Sequence, residues 1–176
     1  MKIVVVVDVQ NDFVYGSLGS PEASDAVSNI IDQLSSIDEN DIVIFTRDTH
    51  GNHYLDTQEG RNLPVPHCVY GTEGWDVLKS VRICIPLGQK RYVNKPSFGS
   101  YKLIDMIADD IEITSVDEIE IFGFCTDICV ISNALMIKSA FPEVRVRVIS
   151  DCCAGVTPAK HEAALEVMRS CQIEVV

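Results

Sequence analysis

Cys129 sits in the segment Gly123-Phe124-Cys125-Thr126-Asp127-Ile128-Cys129-Val130, where an apolar run gives way to a helical pattern. A thiol in the first turn of a helix meets unpaired backbone N–H groups and the positive end of the helix dipole, and both favour thiolate. The same N–H groups can hold an oxyanion. Thr126 or Asp127 is placed to cap that helix. The alternative role for Cys129 is that of a small buried hydrophobe, the commonest fate of an intracellular cysteine. Cys125 lies four residues earlier, so the two cysteines can share a helix face as a metal or redox pair. Asp8 closes the apolar run Ile3 to Val7, at the mouth of a buried strand where desolvation raises a carboxylate toward the range of a general base. An isolated aspartate there serves equally as a turn or cap residue. Lys95, in Val93-Asn94-Lys95-Pro96, either supplies positive charge beside a thiolate and a carboxylate or lies in solvent.

A second set of groups has the chemistry of a metal site. Asp48-Thr49-His50 follows an apolar run, and Asp-x-His at a strand end can aim a carboxylate oxygen and an imidazole nitrogen at one ion, suiting Zn, Fe or Mn. Glu59 and a further histidine, His53 or His67, complete the set. Three of the four histidines lie between His50 and His67, in a stretch poor in apolar residues. The fourth, His161, reads as a surface or packing residue.

Helices and strands must bring these distant residues together. Ile3 to Asp8 is a β-branched run suited to a strand buried on both faces of a parallel sheet. Ser20 and Pro21 open a helix whose apolar face is Ala23, Ala26, Val27, Ile30, Ile31 and Leu34. Strands are expected at Ile42 to Thr46, near Tyr92 and Val93, at Glu118 to Phe124, Val144 to Ile149 and Ile173 to Val176. Helices are expected around Trp75 to Ser80, at Tyr101 to Ala108, Asp127 to Ala140 and Pro158 to Arg169. Arg47 to Gly74 shows neither periodicity and reads as a long functional loop. The alternation predicts one α/β domain over residues 1–176, with three α/β/α layers, a mostly parallel sheet and right-handed crossovers. Such sheets hold ligands at the carboxyl ends of their strands, where Asp8, Asp48, His50, Lys95 and the Cys129 segment emerge.

Composition narrows the function classes. The chain has 176 residues, 47% hydrophobic and 23% charged, as expected of a globular rather than a disordered chain. Its net charge of −12 without a basic cluster argues against nucleic acid. The opening apolar run is too short for a membrane span or a signal-peptide core, so a cytoplasmic protein with no membrane partner is expected. Seven cysteines, an odd number without regular spacing, argue for reduced thiols rather than a disulfide framework.

Taken in order, Asp8-Val9-Gln10-Asn11-Asp12-Phe13, Thr46 to His50, Pro66 to Gly74, Lys95-Pro96-Ser97-Phe98 and Gly123 to Val130 resemble the motifs of the isochorismatase-like cysteine hydrolases, and among them the nicotinamidase (pyrazinamidase) branch. The resemblance runs from Ile3 to Val176. It implies a Rossmann-like hydrolase fold and hydrolysis of nicotinamide to nicotinate and ammonia, a step of pyridine nucleotide salvage, through a thioester. It makes Cys129 the nucleophile, Asp8 the base and Lys95 the third triad member. The backbone N–H groups of Cys125 and Cys129 become the oxyanion hole, with a cis peptide before Cys125. Asp48, His50, Glu59 and His67 become ligands of one divalent ion, zinc first, with iron or manganese as alternatives. Phe13, Leu63 and Phe98 become the substrate walls, and a homo-oligomer is implied. The chain departs from the branch at His53, one residue nearer His50 than usual, in the loop before His67, and at Pro64, where many members carry tryptophan. Two other readings stay open: an amidase of the same superfamily acting on another small amide or an N-carbamoyl compound, and a non-catalytic thiol redox or binding module.

Overall fold

The computed structural model describes residues 1–110 and 116–176. Six parallel strands form one sheet in the order β3-β2-β1-β4-β5-β6: β1 Lys2–Val7, β2 Ile42–Asp48, β3 Lys90–Lys95, β4 Glu118–Phe124, β5 Arg145–Ala154 and β6 Glu174–Val175. β1 lies at the centre, and Ile3 to Val7 are wholly buried, as its unbroken β-branched sequence requires. The helices are α1 Asn11–Val14, α2 Pro21–Ser35, α3 Gln58–Asn62, α4 Lys79–Arg82, α5 Tyr101–Asp110, α6 Ile131–Ala140 and α7 Pro158–Ser170. α2 packs against α4 and β5, while α5, α6 and α7 pack side by side, giving the expected three layers. α2 begins as expected: the Ser20 hydroxyl accepts from the Ala23 N–H at 3.1 Å and Pro21 takes the first turn. No helix among the described residues is long and apolar enough to cross a membrane.

Chain direction along the sheet reverses between β1 and β4. The first crossover carries the chain from β1 to β2 on one side, and the later ones carry it from β4 to β5 and β6 on the other. A crevice therefore opens beyond the carboxyl ends of β1 and β4, the usual ligand position of such sheets. β2 runs two residues past its expected end and pairs with β3 as Arg47 opposite Asn94 and Asp48 opposite Lys95. That register alone sets two of the charged candidates side by side.

Several expected boundaries differ, each for a local reason. The stretch Arg47 to Gly74 is not featureless: it contains a 3-10 turn, Tyr54–Asp56, and α3, whose Thr57 hydroxyl accepts from the Gly60 N–H at 3.0 Å. The helix expected from Trp75 to Ser80 is replaced by the shorter α4. Residues 75–78 instead lie along Val9 and Gln10, with an antiparallel bridge from Gln10 to Val77 and a Leu78 N–H to Val9 carbonyl bond of 2.9 Å. β5 continues five residues beyond Ile149 because a register shift opposite Ile121 and Gly123 lets the strand re-pair through Cys153 and Ala154.

Gly123 is required where β4 passes β1. Its φ is +129°, and a Cβ there would overlap the Val7 carbonyl oxygen. Gly123→Ala is expected to cost about 3 kcal/mol or more and to lower the melting temperature by roughly 6–12 °C. A thermal melt within about 2 °C of the wild type would overturn this account of β1–β4 packing.

Candidate active site

Four ends of the sheet supply the charged centre. Asp8 follows β1 with φ +50°, a conformation aspartate tolerates better than most residues. Its Oδ1 accepts the Thr46 hydroxyl at 2.7 Å, and its own N–H donates to the Thr46 Oγ1 at 3.2 Å. Lys95, at the end of β3, is wholly buried, with its Nζ 2.6 Å from Asp8 Oδ2, 3.6 Å from Asp48 Oδ1 and 3.3 Å from Cys129 Sγ. It also donates to the Ser97 carbonyl at 3.1 Å. Asp8 Oδ2 is ion-paired to Lys95, and the Asp8 carboxylate is also within reach of the Cys129 thiol.

The electrostatics follow from burial. Desolvation raises Asp8 above the ordinary carboxylate range, with Lys95 opposing it and Asp48 adding to it. Burial disfavours the Lys95 ammonium, yet the surrounding Asp8, Cys129 and Asp48 hold its proton firmly. The Cys129 thiol is pushed well up by burial, against the pull of Lys95. Burial here works against the helix-terminus effect, which favours thiolate.

The turn bearing Cys129 also differs from a capped α-helix. The Phe124–Cys125 peptide is cis, and Thr126–Val130 form a π turn that leads into α6. The Cys125 carbonyl accepts both the Ile128 and Val130 N–H groups at 3.1 Å. Neither Thr126 nor Asp127 caps it. The Thr126 hydroxyl pairs with His161 Nδ1 at 2.8 Å, and Asp127 Oδ1 accepts the Val156 N–H at 2.9 Å. Asn133 braces the turn from α6, donating to the Cys129 carbonyl at 2.8 Å and the Phe98 carbonyl at 3.0 Å while accepting the Ser100 N–H at 3.1 Å. All seven cysteines are free thiols, and burial pushes Cys125 up to about 12.

Asp48, His50, Glu59 and His67 converge so that one donor atom from each lies within 4.8 Å of every other. Asp48 Oδ2 is 2.9 Å from His50 Nε2 and 3.3 Å from His67 Nε2, and Glu59 Oε1 is 3.6 Å and 3.8 Å from the same nitrogens. His67 Nδ1 is engaged by the Val65 carbonyl at 2.8 Å, which aims Nε2 at the cluster as a ligand nitrogen. Two carboxylates and two imidazoles fit a divalent transition ion. Burial would raise Asp48, but hydrogen bonds to His50 and His67 and the Lys95 charge hold it well below the carboxylate range. His53 stands outside the cluster, its ring against Gly51. Arg47 faces away, its guanidinium 4.1 Å from the Trp75 ring centre.

Residue-by-residue reading overlooked Gln10, which is wholly buried. Its amide accepts the Asp48 N–H at 2.7 Å and donates to the Asp48 and Trp75 carbonyls at 2.9 Å and 2.8 Å. Thr46 and Asn133 were overlooked in the same way, and His161, read as a surface or packing residue, instead pairs with Thr126. A cavity of about 530 Å3 joins both groups: Phe13, Leu63 and Phe98 line it together with Asp48, Glu59, His67, Cys125 and Cys129.

The isochorismatase domain family model matches residues 2–176. The chain is 29% identical over 187 residues to the nicotinamidase/pyrazinamidase of Mycobacterium tuberculosis, covering 100% of this chain and 98% of that protein. It is 28% identical over 208 residues to the nicotinamidase of Schizosaccharomyces pombe, covering 98% and 91%. Its fold superposes on the pyrazinamidase of Pyrococcus horikoshii, solved in complex with zinc, with a TM-score of 0.82 and 26% identity over 99% of this chain and 98% of that one.

The four-donor cluster is expected to hold roughly one divalent ion per chain, measurable by elemental analysis after loading and desalting. His50→Ala and His67→Ala should each weaken retention by about tenfold or more. Wild-type protein that retains no ion under these conditions would remove the metal assignment.

Proposed function

The chain belongs to the isochorismatase family of hydrolases, and from that membership we propose that it cleaves nicotinamide to nicotinate and ammonia, with Cys129 as nucleophile. The observation that carries this reading is the buried Lys95 ammonium touching both Asp8 and Cys129, with Cys129 lining a cavity that Asp48, Glu59 and His67 of the donor cluster also line. The nicotinamidase relatives and the zinc-bound pyrazinamidase support the substrate and the metal.

In this reading Phe13, Leu63 and Phe98 hold the pyridine ring, and the carboxamide points at Cys129. Asp48, His50, Glu59 and His67 would hold one divalent ion, zinc by analogy, which when bound would supply Lewis acidity toward the ring nitrogen or ordered water. The Asp8 carboxylate takes the thiol proton, while Lys95 stabilises the thiolate during attack on the carbonyl carbon. Burial raises Asp8 and so makes it a stronger base than an exposed carboxylate. The backbone N–H groups of Cys125 and Cys129 receive the oxyanion. Asp8 returns the proton to the departing ammonia, then activates the water that hydrolyses the thioester.

Ammonia release tests the assignment. Cys129→Ala should reduce nicotinamide turnover by about 10^4-fold or more with little change in melting temperature, and Asp8→Asn by on the order of 10^3-fold with a lowered melting temperature, because it also removes a counter-charge of the buried Lys95. Cys125→Ala should keep measurable activity, since only its backbone is used. Benzamide, which lacks the ring nitrogen, should be a far poorer substrate than nicotinamide, and His50→Ala should lose most of that preference. Faster cleavage of an N-carbamoyl amino acid than of nicotinamide would move the substrate to another amide while keeping the cysteine chemistry.

The Thr46 hydrogen bond lowers Asp8. Thr46→Val removes it, so Asp8 rises further and is protonated at higher pH. The acid limb of kcat/KM should therefore move to higher pH, and a limb that stays in place or moves down would show that Asp8 is not the group titrating there.

A further inference from the structure

α7 packs against the nucleophile turn and touches it through side chains that the proposed chemistry does not use. Thr126, in the π turn between Cys125 and Cys129, is wholly buried, so its hydroxyl needs a partner inside the protein. That partner is His161 Nδ1, at 2.8 Å. His161 is itself set by the first turn of α7: its N–H donates to the Thr157 carbonyl at 2.9 Å, and the Thr157 hydroxyl caps the helix at Lys160 N–H, 3.2 Å away. A second tie runs beside it. Asp127 Oδ1 accepts the Val156 N–H at 2.9 Å, and Gly155 allows the approach, since a Cβ there would lie 2.8 Å from Asp127 Oδ1 and 2.9 Å from the His161 nitrogen.

We propose that His161 is a positioning residue which, through Thr126, holds the turn carrying Cys129 Sγ and the Cys125 and Cys129 backbones in register with Asp8 and Lys95. The inference rests on the reading of Cys129 as the nucleophile. A turn wound i to i+5 has fewer internal constraints on its exact pitch than an α-helix, and here the external ties come from α6 on one side, through Asn133, and from α7 on the other. Sγ lies 3.3 Å from Lys95 Nζ, a contact that a small rotation of the turn would break. Loss of the His161 tie therefore acts first on the alignment of Cys129 with Asp8 and Lys95, and so on the rate of the chemical step, while Phe13, Leu63 and Phe98 stand on other elements.

The test uses full-length His161→Ala, His161→Asn, Thr126→Val and the double variant His161→Ala/Thr126→Val. With nicotinamide, His161→Ala should lower kcat by on the order of 10–100-fold, with KM within about twofold. His161→Asn, which restores a polar nitrogen near the Nδ1 position, should recover most of the loss, and the double variant should be no worse than the poorer single one. Alkylation by iodoacetamide, followed peptide by peptide, gives a readout that needs no turnover: Cys129 labelling should slow relative to the exposed Cys171 in His161→Ala and recover in His161→Asn. A kcat within about twofold of wild type, losses that multiply in the double variant, or a loss that Asn does not relieve would each overturn the proposal. If wild-type protein releases no ammonia from nicotinamide, the substrate reading fails, and the alkylation ratio still decides the role of His161.

Discussion

A lysine ammonium with no solvent exposure is the constraint around which the site is built. Moving such an ion from water into a protein interior costs several kcal/mol even after relaxation, and only well-placed counter-charges and hydrogen bonds recover it. Lys95 finds them in Asp8, Asp48, the Ser97 carbonyl and the Cys129 sulfur. Each comes from a different stretch of chain, so the ammonium can be satisfied only when β1, β2, β3 and the turn after β4 are all in place. A parallel sheet that reverses direction between β1 and β4 provides that arrangement directly, because every one of these strand ends opens on the same edge.

The same burial decides the chemistry. It raises the carboxylate and the thiol together and leaves the ammonium charged, which produces an acceptor and a donor of proton beside a fixed positive charge. The same residues exposed to water would each lie near their ordinary values. Thr46 tempers the effect on Asp8: it hydrogen-bonds one carboxylate oxygen, and Lys95 pairs with the other.

Much of this was legible from residue order. The β-branched Ile3 to Val7 and the run Glu118 to Phe124 announce strands because a strand buried on both faces has to be apolar throughout, and Ser20-Pro21 announces a helix start because its cap chemistry is local. Asp48, His50, Glu59 and a second histidine, His53 or His67, stand out as donors because so few apolar residues interrupt them, and it is the family resemblance that singles out His67. Gln10, Thr46, Asn133 and His161 do not stand out. Their partners lie 38, 65, 38, 33 and 35 residues away for the bonds Gln10–Asp48, Gln10–Trp75, Thr46–Asp8, Asn133–Ser100 and His161–Thr126, and a lone polar residue looks the same whether its partner is water or a distant backbone group. The π turn is equally silent, since winding i to i+5 instead of i to i+4 changes no side-chain type. Residues 75–78 read as helical because local preference favoured it, but pairing with Val9 and Gln10 satisfied more of their backbone.

Asp48 joins the two halves of the site into one electrostatic unit. Its Oδ1 faces Lys95 and its Oδ2 faces His50 and His67, so a single carboxylate serves as counter-charge to the buried ammonium and as a member of the donor cluster. Gln10 fixes it in that divided role by binding both the N–H and the carbonyl of its backbone. Rotation of Asp48 to favour either side would strip the other of negative charge in a region with little water to replace it. The donor cluster and the Asp8, Lys95 and Cys129 group are therefore held at a constant separation by one residue on β2, and in the proposed reaction the register of β2 against β3, which sets Asp48 beside Lys95, fixes where a ring at the first would present its amide to the second.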